Sequence, residues 1–367
     1  MKIYIPVILL LFAFKTGVAQ EFNELKAYLD SNSTPVNMND PARPNNFFKS
    51  VMSDKVLFVF GEGGDHQLDL QNKLRVYLLN QFSRLHLKYF FIESGRSTAY
   101  IQNKYLQNTI DNVDSIFKKG ILYKKQMQKI RQLYQDGYHF MYKGIDMEWS
   151  VSLYNAVKDL TADLSQSTVQ SIPLLRSILI DTNYLHYDDN NVFNNQKEFL
   201  NFYISLHNTF TDDADLLKNV LGNDRYEQLE YFLSNPQTRP PRGNRNPGMA
   251  KNLLNEIVPI EPQSTYLLGI GMAHTLLNRN GVVASMLERN ELLRNKIVVM
   301  NTYCDECQIA GKIINDRSIE FMKNELLDIF RSATKSDLTI FDLSKLPSKF
   351  NYLKEYGDLI LFAKNQE

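Results

Sequence analysis

The sequence predicts an α/β protein with a mainly parallel sheet, flanking helices and a large helical insertion. Short apolar runs alternate with amphipathic segments of helical length from Val56 onward, and the same rhythm returns at Met249. Between these two stretches, about 107–250, the pattern is mostly helical, polar and aromatic. Strands that alternate with helices of this length favour parallel pairing through right-handed crossovers.

The first α/β stretch follows a lead-in segment, 20–55, that is polar and rich in turn-forming residues. VLFVF (56–60) has the apolar run of a buried strand, and an amphipathic helix is predicted over 68–85. LKYFFIE (87–93) predicts a second strand, which a helix follows from Ser97.

The insertion contains one apolar run, YHFMYKGID (138–146), which we interpret as a third strand. Two segments rich in Asn, Pro and Gly, 188–196 and 235–248, predict loops. The rest of the insertion is expected to form a helical cap over the edge of the sheet.

The α/β rhythm then continues to the end of the predicted domain, which spans 56–367. Its predicted strands are STYLLGIG (264–271), KIVVMNTY (296–303), LTIFDL (338–343) and DLILFAK (358–364), and its predicted helices are MAKNLLNEI (249–257), ASMLERNELLR (284–294), RSIEFMKNELLDIF (317–330) and KLPSKFNYLKEY (345–356).

Composition is that of an ordinary globular protein, with 44% hydrophobic and 22% charged residues. The 41 basic and 41 acidic side chains give a formal net charge of zero. This balance does not favour binding to nucleic acid or to an anionic membrane.

The N-terminus has the pattern of a secretory signal peptide over 1–19. A basic start is followed by about 12 apolar residues, IYIPVILLLFAF, and by small residues at Gly17 and Ala19. This apolar core is shorter than the roughly 20 residues that a membrane span needs. We therefore expect cleavage between Ala19 and Gln20, export to the periplasm or the medium, and no membrane span.

The only two cysteines, Cys304 and Cys307, form a Cys-x-x-Cys pair. In an exported protein a local disulfide is the simplest interpretation. Half of a zinc site and a redox motif are the alternatives. The acidic residues between the two sulfurs oppose the lowered thiol pKa that a redox pair requires.

Two apolar runs are each followed by Gly-x-Gly-x-x-His, at Gly61 to His66 and at Gly269 to His274. We expect a glycine turn after each strand to hold an imidazole over the carboxyl edge of the sheet, where open α/β folds place their chemistry. The repeat also suggests two pseudo-repeated halves. Glu62 lies four residues before His66, so a helical turn would place the two on one face, as a general-base pair or as metal ligands. A phosphate-binding glycine turn or a capping histidine is the alternative.

Glu93 ends the second predicted strand, and burial there without a partner is costly. It is a candidate for acid–base chemistry beside the first histidine if the two strands are neighbours. The alternative is an ion pair with Arg96 at the rim of the sheet. His274 follows its strand as His66 does, with a buried structural histidine as the alternative. Asp146 is a third acidic candidate, and Trp149 is a candidate for lining a pocket.

Several standard chemistries have no motif in this sequence, among them G-x-S-x-G, the P-loop and H-E-x-x-H. Hydrolysis would then depend on a water molecule activated by histidine and glutamate, with or without a metal ion.

Taken in order, these motifs resemble the erythromycin esterase-like superfamily, which includes TIKI/TraB-type metallopeptidases and haem-binding ChaN-like proteins. The superfamily is marked by a glutamate pair, an arginine and two Gly-x-x-His motifs. Here these marks correspond to Glu62 and Glu93, to Arg245 or Arg96, and to the motifs ending at His66 and His274. An Arg-x-x-x-Met-Ala helix start at Arg245 adds to the resemblance. The spacing from Glu62 to His66 is one residue longer than is usual in erythromycin esterases, and Asn246 replaces the aspartate that usually follows the arginine.

The resemblance implies an exported hydrolase acting on an ester or amide of a small molecule or peptide. His66 would be the general base, oriented by Glu62. Glu93 and His274 would complete the site as acid, oxyanion stabiliser or metal ligand, and Arg245 would bind an anionic or carbonyl group. Arg96, Asp146 and Trp149 remain substrate-binding candidates, and a divalent metal ion held by His66, His274 and Glu93 remains open.

The two histidines are then expected to lie within roughly 12 Å of each other, the reach of two side chains and a bridging water or metal. A ChaN-like protein that binds haem or iron, and a relative that has lost catalysis, are the alternative functions.

Overall fold

The computed structural model describes residues 20–40, 43–63, 69–110, 121–188, 192–235, 245–277, 279–305, 307–309, 312–314 and 322–364. The predicted signal peptide and His66 lie outside these residues, so export and the position of this imidazole stay predictions. In the part of the chain that is described, no helix combines the length and the apolar character needed to cross a membrane.

The described residues form a mixed α/β fold around one large sheet. Its strands, with a separate hairpin of β7 and β8, are Ser33–Pro35 (β1), Leu57–Glu62 (β2), Leu87–Ile92 (β3), Met141–Gly144 (β4), Thr265–Gly271 (β5), Ile297–Asp305 (β6), Cys307–Ile309 (β7), Lys312–Ile314 (β8), Leu338–Asp342 (β9) and Leu359–Lys364 (β10).

Helices surround the sheet. They are residues 20–31 (α1), Asn46–Val51 (α2), Asp69–Ser83 (α3), Arg96–Leu106 (α4), Ile121–Gln135 (α5), Ser150–Leu160 (α6), Gln166–Ser171 (α7), Pro173–Leu179 (α8), Val192–Asp212 (α9), Ala214–Leu221 (α10), Asn223–Leu233 (α11), Asn246–Ile257 (α12), Val283–Arg289 (α13) and Asn324–Ala333 (α14), with 3-10 helices at Thr182–Asp188, Met272–His274 and Ser348–Tyr356.

The main sheet has the strand order β1-β9-β10-β6-β2-β5-β3-β4 in the described part of the chain. The six strands from β10 to β4 are parallel, whereas β9 and β1 add an antiparallel edge. The predicted α/β class with a mainly parallel sheet is therefore confirmed.

Strands β2 and β3 are not neighbours, contrary to the expectation from their succession along the chain. Strand β5 lies between them and pairs with both. Every residue of β5 is buried, and a strand that is apolar along its whole length is stabilised most where both of its faces are covered. Because these strands are parallel, their carboxyl ends still meet at one edge.

The glycine turn expected after the first strand does not begin at Gly61, and the rest of that turn, from Gly64 to His66, lies outside the described residues. Gly61 and Glu62 belong to β2, and β5 extends through Gly271. The ladder between the two strands continues to the pair Glu62 and Gly271, so pairing extends the strands to these residues. Gly61 serves close packing instead, since a Cβ there would overlap the side chain of Asn301 and approach Thr275 Oγ1 to 2.5 Å.

The lead-in segment contributes to the main fold. Strand β1 pairs with β9, and Phe48 of α2 packs in the core beneath the sheet.

Two further details differ from the sequence prediction. Predicted helix 345–356 is a 3-10 helix at its C-terminal part, Ser348–Tyr356, and α13 ends at Arg289 rather than at 294.

The insertion divides between the sheet and a helical layer. Its apolar run forms edge strand β4, shorter than predicted, and α5 packs with the sheet. The helices from α6 to α11 enclose a separate apolar core that includes Leu175, Leu229 and Phe232. Helix α4 supplies Ile101 to this second core, while its Tyr105 and Leu106 belong to the core on the sheet.

Candidate functional site

The carboxyl ends of β3, β4 and β5 bring four of the predicted site residues together. Glu93 directly follows β3, and Asp146 lies two residues after β4. The backbone N–H of Asp146 donates to Ser94 O at 3.0 Å, so the two chain segments stay side by side beyond the ends of their strands. Both carboxylates therefore face the same edge.

Arg245 joins the two carboxylates. It lies at the N-terminus of α12, and its guanidinium forms ion pairs with Glu93 Oε1 through Nη2 and with Asp146 Oδ2 through Nη1. The second oxygen of Glu93 accepts a hydrogen bond of 2.8 Å from the backbone N–H of Gly271 on β5. These side chains are 20, 12 and 5% exposed for Arg245, Glu93 and Asp146, respectively, so the charges interact with limited screening by water.

His274 completes this cluster from the 3-10 helix that follows β5. Its Nε2 lies 3.3 Å from Nη2 of Arg245 and 3.4 Å from Oε1 of Glu93. Its Nδ1 lies 2.6 Å from Oδ1 of Asn246. Since the amide nitrogen of Asn246 donates to Gly281 O at 2.7 Å, the amide oxygen faces the ring and Nδ1 carries a proton. The other ring nitrogen, Nε2, faces Glu93 and Arg245.

Glu62 lies on the other side of Gly271 and has a different partner. It is 1% exposed, and Arg75 of α3 binds both of its carboxylate oxygens, with a distance of 2.6 Å from Nε to Oε1. A bidentate arginine fixes the plane of a carboxylate as well as its charge. Glu62 is therefore a rigid group at the start of the segment that carries His66.

Arg75 is a site residue that sequence reasoning missed. It lies in the middle of an amphipathic helix, where an arginine is usually solvent-exposed. Its two neighbours in the sequence, Leu74 and Val76, are both buried. An arginine between two apolar residues of this kind was the sequence feature that could have indicated a buried ion pair.

Glu148 is a second missed residue, and it supports the loop that carries Asp146. It is fully buried and accepts hydrogen bonds from the backbone N–H groups of Arg96 (2.7 Å) and Ser97 (3.0 Å), from Ser97 Oγ and from Asn235 Nδ2 (2.7 Å). Burial raises the pKa of the Glu148 carboxyl, against the hydrogen bonds that lower it.

Two buried asparagines hold the same loop from the helical side. Asn235 donates to the backbone oxygen of Asp146 at 2.8 Å, and Asn252 donates to that of Ile145 at 2.9 Å. Asn252 also donates to Asn235 Oδ1 at 2.9 Å. The position of Asp146 is thus set by a buried polar network that reaches α11 and α12.

Arg96 and Trp149 lie differently from the cluster. The guanidinium of Arg96 is bonded to Tyr231 O at 2.8 Å and Ser234 Oγ at 3.0 Å, on the helical layer, rather than to Glu93. Trp149 precedes α6 and is 37% exposed. Their predicted roles in substrate binding stay predictions, as does the approach of His66 to His274.

A metal ion fits poorly among the described members of the predicted ligand set. The guanidinium of Arg245 bonds the same oxygen of Glu93 that faces His274. A divalent cation between these two groups would have to displace the half-buried guanidinium of Arg245. Within the described ranges, no group of three or more His, Cys, Asp and Glu side chains is arranged to hold a metal ion, and His66, the third predicted ligand, lies outside them.

Cys304 lies at the carboxyl end of β6, where it is buried and disulfide-bonded. Cys307 is the only other cysteine in the sequence. The hairpin of β7 and β8 begins at Cys307.

Fold and site together define an open α/β protein with a paired carboxylate, arginine and histidine cluster at the carboxyl edge of a parallel sheet. No protein-family model and no curated protein matches the sequence.

Solved structures do match the fold. A protein from Bacillus cereus superposes with a TM-score of 0.64 at 14% identity, covering 94% of this chain and 97% of that one. A succinoglycan biosynthesis protein superposes with a TM-score of 0.57 at 12% identity, covering 93% of this chain and 96% of that one. A mutant of erythromycin esterase EreC, in its open conformation, gives 0.54 at 15% identity, covering 88 and 95%.

The fold of this chain is therefore similar to that of erythromycin esterase EreC. The TM-score with haem-binding ChaN of Campylobacter jejuni is 0.31, which is too low to carry an argument. At these identities the comparisons show the fold alone.

Proposed function

We propose that this protein is a hydrolase of an ester or amide in a small molecule or peptide, acting through a water molecule activated by histidine. The observation that carries the proposal is the cluster of Glu93, Arg245, Asp146 and His274, in which Nε2 of His274 faces Glu93 and Arg245. The fold shared with erythromycin esterase EreC supports the same chemistry.

In the proposed reaction, His66 takes a proton from water, and the resulting hydroxide attacks the carbonyl carbon of the substrate. Glu62, held by Arg75, orients His66. Arg245 stabilises the charge that develops on the carbonyl oxygen, as a fixed cation in a partly dry site can do.

The tetrahedral intermediate then collapses as His274, protonated and adjacent to Glu93, gives a proton to the leaving oxygen or nitrogen. The proton held on His66 returns to His274 through solvent, which restores both imidazoles. No step requires a metal ion, and the position of Arg245 between the carboxylates supports this form of the mechanism.

The test is hydrolysis of a panel of p-nitrophenyl esters and lactones by the mature protein, compared with the variants H66A and H274A. We expect each variant to lower kcat/KM by about 10²-fold or more, the usual contribution of a general acid or base. The matched control is H207A, because His207 is exposed on α9, and its activity should be unchanged. Treatment with EDTA should also leave activity unchanged.

Hydrolysis that both histidine variants retain would contradict the proposal. A Soret band in the purified protein, lost in H274A, would instead indicate the haem-binding alternative.

A further inference from the structure

A cavity of about 180 Å³ lies between α4, β4 and α11, and none of its lining residues belongs to the carboxylate and histidine cluster. Its basic lining residues are Arg96, Lys104 and Lys143, and Tyr100 and Tyr231 are among its aromatic ones. The residues that line it include three cations and no aspartate or glutamate. The charged side chains that line it are therefore all cationic.

Arg96 is the group that points most directly to a ligand. It is 6% exposed, and the partners of its guanidinium in the described part of the chain are neutral: Tyr231 O, Ser234 Oγ and Asn252 Oδ1. Its Nε is buried and has no hydrogen-bond partner among the residues that the structure describes. Glu148 contacts the backbone N–H of Arg96 rather than the guanidinium. A buried charge is normally paired with an opposite one, so this arginine lacks the anion that would offset its desolvation.

The two lysines are paired with carboxylates that do not line the cavity. Lys104 contacts Asp159 at 3.2 Å and Lys143 contacts Glu256 at 2.8 Å, and neither carboxylate lines the cavity. An ammonium group has three donors, so each lysine keeps capacity for a further acceptor.

The tyrosines are bound by the same two carboxylates. Tyr100 donates to Asp159 and Tyr231 to Glu256, each at 2.6 Å. The guanidinium of Arg96 lies over the ring of Tyr231, 4.3 Å from its centroid, so the cavity is lined by cations and aromatic rings side by side. An apolar or aromatic body is the ligand part that suits such a surface.

We propose that this cavity binds a small organic carboxylate with an aromatic or apolar body, its carboxylate placed between Arg96 and the two lysines. The volume is below the roughly 300–1,000 Å³ of sites for drug-sized ligands, so the occupant is small.

The experiment is calorimetric titration of the full mature protein with benzoate, with neutral benzamide as the matched probe. We expect saturable binding of benzoate at least tenfold tighter than that of benzamide, and weaker at high salt because the attraction is between charges. K104M and K143M should each weaken benzoate binding about tenfold, as should R96Q if it folds.

The matched control is K26M. Lys26 is 35% exposed and paired with Asp30, much as Lys104 is 31% exposed and paired with Asp159. Because Lys26 does not line the cavity, K26M should leave benzoate binding unchanged. R245M locates the site: binding lost in R245M but kept in K104M would place benzoate at the carboxylate cluster and overturn the proposal. Equal binding of benzoate and benzamide, or no saturable binding, would overturn it as well.

Discussion

At the scale of single residues, the site is organised by charged groups that two arginines hold, one of them from far along the sequence. Glu93 and Asp146 are joined by Arg245, and Glu62 is fixed by Arg75. Both arginines form ion pairs with carboxylates at the carboxyl edge of the sheet. The site therefore has two rigid ion-paired units on either side of Gly271, and the segment carrying His66 starts from one of them.

Glu148 gives the clearest prediction at this scale. Burial raises the pKa of its carboxyl in the folded protein above the ordinary value of 4.5. At a pH between 4.5 and this raised pKa, the folded state binds more protons than the unfolded state. Stability then falls as pH rises through this window. The variant E148Q has no carboxyl group at this position. Its free energy of unfolding should therefore lack the decrease with pH that Glu148 causes.

Urea denaturation of the wild type and E148Q between pH 4.5 and 8 measures the effect. The stability advantage of the wild type should shrink with rising pH, by up to about 1.4 kcal/mol per pH unit inside the window. D163N is the contrasting control: Asp163 is exposed and Arg225 lowers its pKa, so any slope should be small and of opposite sign. An advantage of the wild type over E148Q that grows with pH would contradict the prediction.

Sequence reasoning found the residues that directly follow strands and missed those that support them. Glu93 and His274 could be predicted because a polar residue after an apolar run stands at the edge of a sheet, where its strand position fixes its place. Arg75 and Asn235 lie on or beside helices, and which of their faces meets a strand end depends on tertiary packing. Short sequence patterns do not contain that information.

At the scale of elements, the turn between β3 and α4 packs directly on β4. A Cβ at Gly144 would overlap the carbonyl oxygen of Gly95, and a Cβ at Gly95 would lie 2.7 Å from Cα of Glu148. Two backbone segments therefore touch where the loops bearing Glu93 and Asp146 begin. Only residues without a side chain allow this approach.

G144A should therefore destabilise the protein by roughly 2 kcal/mol or more, at the upper part of the range for overpacking, because the obstacle is backbone and cannot rotate away. The matched control is G137A. Gly137 has φ +98°, and a Cβ added there would meet nothing within 4 Å, so its cost is backbone strain alone, about 1–2 kcal/mol. Chemical denaturation compares the two. G144A should also lower any hydrolysis, whereas G137A should not, and equal behaviour of the two variants would exclude the packing argument.

The elements themselves were predictable to different degrees. Long apolar runs such as 264–271 and 358–364 became strands within about one residue of their predicted bounds, because burial on both faces requires a continuous apolar sequence. Strand β1 and the hairpin of β7 and β8 have three residues in each strand, too few for a periodic pattern. The placement of β5 between β2 and β3 was missed because pairing order is a non-local property.

At the scale of the whole molecule, helix α4 connects the sheet to the helical layer. Tyr105 and Leu106 pack in the core on the sheet, and Ile101 packs in the core of the layer. The ring of Tyr100 also contacts that of Phe232 on α11, with centroids 5.3 Å apart. Residues of α4 also line the cavity proposed to bind a carboxylate. Glu93, of the carboxylate and histidine cluster, lies just before the N-terminus of α4.

One helix that belongs to two cores should make them unfold together. We expect a single thermal transition by calorimetry, with van't Hoff and calorimetric enthalpies in agreement, although the chain is longer than most two-state domains. I101A should weaken the connection, since it removes a buried side chain at a typical cost of about 2–5 kcal/mol. The matched control is L175A, because Leu175 is equally buried but lies inside the helical layer, on α8.

L175A should lower the transition temperature while keeping one transition, whereas I101A should broaden or split it. Limited proteolysis near the transition gives the same distinction, as a protected sheet fragment should accumulate only in I101A. Two separate transitions in the wild type would show that the layers fold independently. In that case the buried network from Asn235 and Asn252 to Asp146 could not hold the site when the helical layer opens, and hydrolysis should be lost at the lower transition.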